Sequence, residues 1–177
     1  MKNECMLQKA TMAQFDAVFS LLENSFPLDE YRPYDAQKAL LQNPRYSIYV
    51  LSDEKTHAVK ALASVWQLEQ FAFVEHLAVS PACRNQGVGS QILHELSRRL
   101  ACRLVLEVEL PEGEMPRRRI EFYRRNGFTL NSYPYQQPAY GEGRRPVPLL
   151  LMTTGGGVEK EEFEAIKQSL YQTVYQV

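Results

Sequence analysis

Cysteine is scarce: three occur in 177 residues, Cys5, Cys83 and Cys102, and no CxxC pair is among them. An odd, unpatterned set supplies neither a disulfide framework nor zinc-ligand spacing, and it suits a reducing compartment. Long apolar runs are missing as well. No stretch approaches the roughly 18 apolar residues that cross a bilayer, and Met1-Lys2-Asn3-Glu4-Cys5 lacks the apolar run of a signal peptide. An excess of one charge is also lacking, since 20 Lys+Arg face 21 Asp+Glu for a net charge of -1. A nucleic-acid binder needs a basic face that this balance does not give. The nucleotide-triphosphate loop Gly-x-x-x-x-Gly-Lys-Ser/Thr is absent. These absences predict a cytoplasmic protein with no nucleic-acid partner, no membrane span and no metal.

What is present suits one core. The length and the 45% hydrophobic content are those of a globular domain, so residues 1–177 are expected to form a single domain. Phe15, Val18, Phe19, Leu22 and Phe26 recur at helical spacing after a capping Thr11, and Pro27 ends that helix. A second helix is predicted over 33–42. Strands are predicted over 5–9, 46–51, 59–68, 71–79, 104–108 and 147–152, with a further strand starting at 128–130. The span 133–145, rich in Tyr, Gln and Pro, reads as a loop. Helices are predicted over 88–100 and 117–126. Phe163, Ile166, Leu170 and Val174 form one helical face in an appended C-terminal segment, 154–177, and such stripes usually pack. Strands and helices alternate irregularly, so the fold class is α/β (α+β).

The stretch Phe71-Ala72-Phe73-Val74-Glu75-His76-Leu77-Ala78-Val79 is apolar on both faces, as in a central, covered strand. It runs into Ser80-Pro81-Ala82-Cys83-Arg84-Asn85-Gln86-Gly87-Val88-Gly89-Ser90, where a helix opens on two glycines. A helix N-terminus with free N–H groups and a positive macrodipole end seats anions such as phosphate. A bare Gly-x-Gly is equally a tight turn, and the dinucleotide fingerprint fails here because Ile92 stands at its third glycine.

A second block, Ile120-Glu121-Phe122-Tyr123-Arg124-Arg125-Asn126-Gly127-Phe128, follows after one helix and one strand. Together, Arg84-Asn85-Gln86-Gly87-Val88-Gly89 and this block resemble the Arg/Gln-x-x-Gly-x-Gly/Ala and Phe-Tyr-x-x-x-Gly-Phe signatures of the GNAT superfamily. The resemblance covers about residues 71–130. It implies a mixed, mostly antiparallel central sheet flanked by helices, with splayed fourth and fifth strands and a C-terminal helix. It also implies transfer of an acetyl group from acetyl-CoA to an amine. On that basis the backbone of Leu77, Ala78 and Val79 pairs with the pantetheine arm. The loop Arg84, Asn85, Gln86, Gly87, Val88, Gly89 and Ser90 holds the pyrophosphate, and Tyr123 is the general acid.

A phenol, with a reference pKa of about 10, keeps its proton at neutral pH and donates it. Glu75 is the candidate base: strand alternation places it with Leu77 and Val79, and apolar neighbours are expected to raise its pKa. Pairing with an arginine or with a cationic substrate remains open for Glu75. His76 is expected on the opposite face, in a structural role. Where family members carry an asparagine that contacts pantetheine, this chain has Pro116. The arginines 117–119 read as a solvated helix start. A homodimer is compatible with the family. A non-catalytic acyl-CoA-binding module and an interaction domain are the competing readings.

Overall fold

The computed structural model describes residues 6–177; Cys5 and the start of the first predicted strand lie outside them. A seven-stranded sheet is built from β1 (Gln8–Lys9), β2 (Tyr46–Ser52), β3 (Val59–Gln67), β4 (Phe71–Val79), β5 (Arg103–Glu109), β6 (Phe128–Gln137) and β7 (Val147–Thr154). Its order is β1-β2-β3-β4-β5-β7-β6. Every neighbouring pair is antiparallel except β4 and β5, which run parallel. A parallel pair requires a crossover, and helix α3 (Val88–Leu100) supplies it.

The helices divide between the two faces. On one face, α1 (Phe15–Ser25), α2 (Tyr34–Ala39) and α5 (Lys160–Ser169) cover Trp66, Phe73, Val105 and Leu151. On the other, α3 and α4 (Glu114–Arg125) cover Val74, Leu104, Leu106 and Met152. Helix α1 buries Phe15, Val18, Phe19 and Leu22, an i, i+3, i+4, i+7 stripe. It stops where Phe26 turns extended ahead of Pro27. Thr11 caps a short 3-10 turn through the Gln14 side chain before α1 begins.

The predicted C-terminal stripe is buried: Phe163, Ile166, Leu170 and Val174 all enter the α1-side core. Past Ser169 the helix continues as a π-helical segment, Leu170–Tyr175. No helix among the described residues is long and apolar enough to cross a membrane.

One predicted loop is partly strand. Residues 133–137 continue β6, with a register shift between Asn131 and Tyr135. Pro134 hid this from the sequence pattern; it sits beside an irregularity on an edge strand, where proline is tolerated. Tyr135 and Gln137 are buried and Gln136 is not, so alternation resumes after the bulge.

Candidate active site

Strands β4 and β5 pair from Phe71 and Arg103 to Val74 and Leu106, and there the pairing stops. Beyond Val74 the edge of β4 that would face β5 is open, which is the splay expected of the fourth and fifth strands. The bond from Ser80 N–H to the Lys60 carbonyl fixes the antiparallel phase between β3 and β4. Ser80 and Ala78 therefore direct their main chains to β3, and Leu77 and Val79 direct theirs to the gap. The Val79 carbonyl indeed accepts a bond from Arg84 Nε at 3.3 Å. Of the three residues expected to offer backbone to a ligand, Leu77 and Val79 turn theirs toward the gap. Ala78 sits opposite Leu62 and contributes its side chain to the cleft.

The cleft is a groove of about 300 Å³. It is walled by Leu77, Ala78 and Val79 of β4, by Glu107 and Glu109 of β5, and by Tyr123 and Arg119 of α4. Phe26, Pro27 and Glu30, from the connection after α1, close its far side. Arg84 enters from the loop below.

That loop turns through Asn85 at φ 60° and Gly87 at φ 75°. The left-handed region is cheap for Gly and tolerable for Asn, which is why those residues stand there. Gln91 N–H makes the first intrahelical bond of α3, to the Gly87 carbonyl. Val88, Gly89 and Ser90 thus have no carbonyl four residues back within the helix, and no acidic side chain occupies the first turn. Gly89 has a second reason to lack a side chain: a Cβ there would stand 3.0 Å from Phe122 Cζ. The two sequence blocks are therefore in direct contact, loop against helix. Gln86 folds back to the Ala82 carbonyl.

Tyr123 is half-buried, its ring edge-on to Phe122 and Phe128 at 5.2 and 5.6 Å. Burial pushes its phenol up to about 12, so it holds its proton throughout the physiological range.

Glu75 departs from expectation in two ways. A β-bulge falls at this residue, since Ser64 pairs with His76 while Val65 pairs with Val74. An inserted residue breaks strict alternation. Glu75 therefore shares the face of Trp66 and Arg32 rather than that of Leu77 and Val79, and its carboxylate lies 3.7 Å from His76 Nδ1. Its side chain is 0% exposed and bonded on every side. Arg32 lies at 2.8 Å from Oε1, Tyr140 OH donates to Oε1 at 3.0 Å, and Trp66 Nε1 donates to Oε2 at 3.2 Å.

The pKa of Glu75 is accordingly lowered, not raised. Burial pushes it up, but the Arg32 guanidinium and these bonds outweigh burial. Arg32, itself buried, also stacks over Tyr140 at 4.5 Å and donates to the Val174 carbonyl at 3.2 Å. His76 is structural, as expected: its Nε2 donates to the Glu30 carbonyl at 2.8 Å, leaving Nδ1 to accept from Ser64 Oγ at 3.0 Å.

Two carboxyls that the sequence reading passed over line the groove. Burial pushes Glu107 up to about 8, with Glu75 and Glu30 adding to the rise and a bond from Tyr175 opposing it. Burial, reinforced by Glu109, pushes Glu30 up to about 7. One oxygen of Glu107 accepts from Tyr175 OH; the other, Oε2, is buried with no protein partner among the described residues. The signal for Glu107 was available, a lone carboxylate inside the apolar run Leu104-Val105-Leu106-Glu107-Val108. The signal for Glu30 was not, because it arises only from folding the connection over β4. Of the arginine triplet, Arg119 pairs with Glu109 and Arg118 with Glu114.

Comparison with known proteins agrees with this geometry. Residues 44–130 match the acetyltransferase (GNAT) domain family. A GNAT-family structure from Bacteroides thetaiotaomicron is similar at 34% identity and TM-score 0.87, covering 97% of this chain and 99% of its own. The "Putative acetyltransferase YjbC" of Bacillus subtilis (strain 168) is 28% identical over 161 residues, 89% of this chain and 80% of its own. An aminoglycoside 6'-N-acetyltransferase solved with coenzyme A shares the fold, at TM-score 0.66 and 13% identity over 84% of this chain and 96% of its own. An open β4 edge and a half-buried tyrosine thus meet in one groove, which Arg84 joins to a glycine-turned helix N-terminus, and the chain belongs to the GNAT family of acyl-CoA-dependent N-acetyltransferases.

Proposed function

We propose that this protein acetylates a primary amine of a small molecule or peptide by direct attack on acetyl-CoA, with Tyr123 as general acid and Glu107 as general base. One observation carries the reading: Tyr123 and Glu107 line the same groove as the open β4 edge. The main chains of Leu77 and Val79 would take the pantetheine arm as an added strand, satisfying N–H and C=O groups that lack a strand partner. The N–H groups of the loop from Arg84 to Ser90 would take the pyrophosphate. Acetyl-CoA supplies the acyl group as a thioester. Glu107 accepts the proton that the amine nitrogen loses as its bond to the acyl carbon forms. Tyr123 gives its proton to the sulfur as the carbon–sulfur bond breaks, and solvent returns the proton from Glu107 to Tyr123. The products are an amide and a free thiol.

Glu107 supports the role of base better than Glu75 does. A base near neutrality needs a raised carboxyl pKa and a free oxygen, and Glu107 has both. Glu75 has neither, and in this reading it anchors Arg32 and Tyr140 behind the groove. The amine is left general: the aminoglycoside enzyme shares the fold at 13% identity, too remote to lend its acceptor.

The test is release of free thiol from acetyl-CoA against a panel of primary amines, beside calorimetry with CoA alone. Amine-dependent release is expected, with kcat/KM rising through about pH 8 as Glu107 loses its proton. CoA binding without release for any amine would make the protein a sensing module. Failure to bind CoA would leave an interaction domain on this fold.

A further inference from the structure

The C-terminal helix reaches the reaction groove through a single hydroxyl. Residues 160–175 lie outside the matched domain, 44–130, and pack through their apolar stripe. Tyr175 does more than pack. Its ring sits against Tyr140 with centroids 5.2 Å apart, and its hydroxyl donates to Glu107 Oε1. Tyr140 in turn donates to Glu75. The π-helical turn Leu170–Tyr175 makes this reach possible, since a π-bulge changes the azimuth of the residues that follow and such turns cluster at functional sites.

We infer that Tyr175 is a positioning residue for acyl transfer: its hydroxyl holds Oε1 of Glu107 and leaves Oε2, buried beside the groove and without a protein partner, as the oxygen that takes up the amine's proton. The inference rests on the reading of Glu107 as base. A carboxylate free to rotate presents either oxygen; one anchored by a donor presents the other in a fixed direction, which is the preorganisation that proton transfer requires. Donation to the charged form also favours that form, so Tyr175 keeps the base ionised nearer neutrality than burial alone would.

The other charged groups that act on Glu107 are Glu30 in the groove and Glu75 behind it, with Arg32 paired to Glu75. Tyr135 of β6, Tyr140 of the following loop and Tyr171 of the π-helical turn approach from the C-terminal side. Tyr123, Arg119 and Glu109 line the same groove. The tyrosines are uncharged at neutral pH. Removing the Tyr175 hydroxyl therefore removes a donor without altering the nearby charge.

The experiment follows the side-chain carboxyl carbons of the full-length protein, labelled with 13C-glutamate, as pH is varied; Glu107→Gln identifies the Glu107 signal. The native signal is expected to titrate near pH 8. In Tyr175→Phe it moves up by about one unit, which is about a tenfold loss of ionised base at neutral pH. In Tyr171→Phe, which loses a hydroxyl that donates to the Gln136 carbonyl and not to Glu107, it stays in place. With any amine that supports turnover, the acidic limb of kcat/KM shifts by the same amount in Tyr175→Phe, and the alkaline plateau falls by about tenfold as the carboxylate loses its fixed direction. An unmoved Glu107 titration in Tyr175→Phe overturns the inference, as does an alkaline plateau equal to the native one. Full turnover by Glu107→Gln is a separate result that removes the base reading itself, and the role of Tyr175 in transfer with it.

Discussion

At the scale of single residues, Glu107 in the groove and Glu75 behind it are two glutamates in opposite states. Glu75 has a cation and two donors, so its charge is stabilised; Glu107 has one donor and an idle oxygen, so its charge is not. Neutralising each to Gln should give opposite results. Glu75→Gln leaves Arg32 buried without its counter-ion, and breaking a buried pair costs about 3–5 kcal/mol, read as a lowered melting temperature.

Glu107→Gln should remove turnover by roughly 10²- to 10⁴-fold and spare stability. The folded pKa of Glu107 lies above its reference value of 4.5, at about 8, so the folded state binds that proton more tightly than the unfolded chain does. Ionisation of Glu107 thus penalises the fold progressively across that window, and the Gln variant should equal or exceed the native protein in stability above it. Unchanged turnover in Glu107→Gln with loss in a folded Glu75→Gln would return the base to Glu75.

At the scale of elements, most boundaries were legible because periodicity and punctuation agreed. The spans 71–79 and 88–100 are found as expected. Helix α4 starts three residues before its predicted start at 117, since Gly113 at φ 100° precedes it. What the sequence could not show was the bulge at Glu75. Alternation puts neighbours on opposite faces, and only the pairing of β3 with β4 reveals that Glu75 and His76 share one. Nor does any pattern announce Arg32 or Tyr140 as partners of Glu75, because such contacts come from connections laid over the sheet end.

The contact between loop and α4 is also an element-scale feature and makes a prediction. Gly89→Ala should weaken CoA binding about tenfold by driving the ring of Phe122 against the loop. Adding Phe122→Leu should recover part of that loss. Calorimetry of the two single variants and the double variant measures the coupling, which contacting residues show at about 0.5–3 kcal/mol. Additive losses would mean that Gly89 acts through its backbone alone.

At the scale of the molecule, the sheet is two antiparallel leaves, β1–β4 and β5–β7, joined by the short parallel pairing of β4 with β5. The open stretch should be visible in amide exchange. Leu77 and Val79 N–H groups are expected to exchange rapidly in the free protein and to slow on addition of CoA, whereas Ala78, held by β3, is slow in both states. Equal protection of all three in the free protein would contradict the open edge.

A sheet with this seam is tied at one end and open at the other. A ligand strand laid between the leaves would be grasped along its length by main chain, with no demand on its side groups. Leaf-to-leaf rigidity would then follow how much of the protein carries CoA, acylated or free.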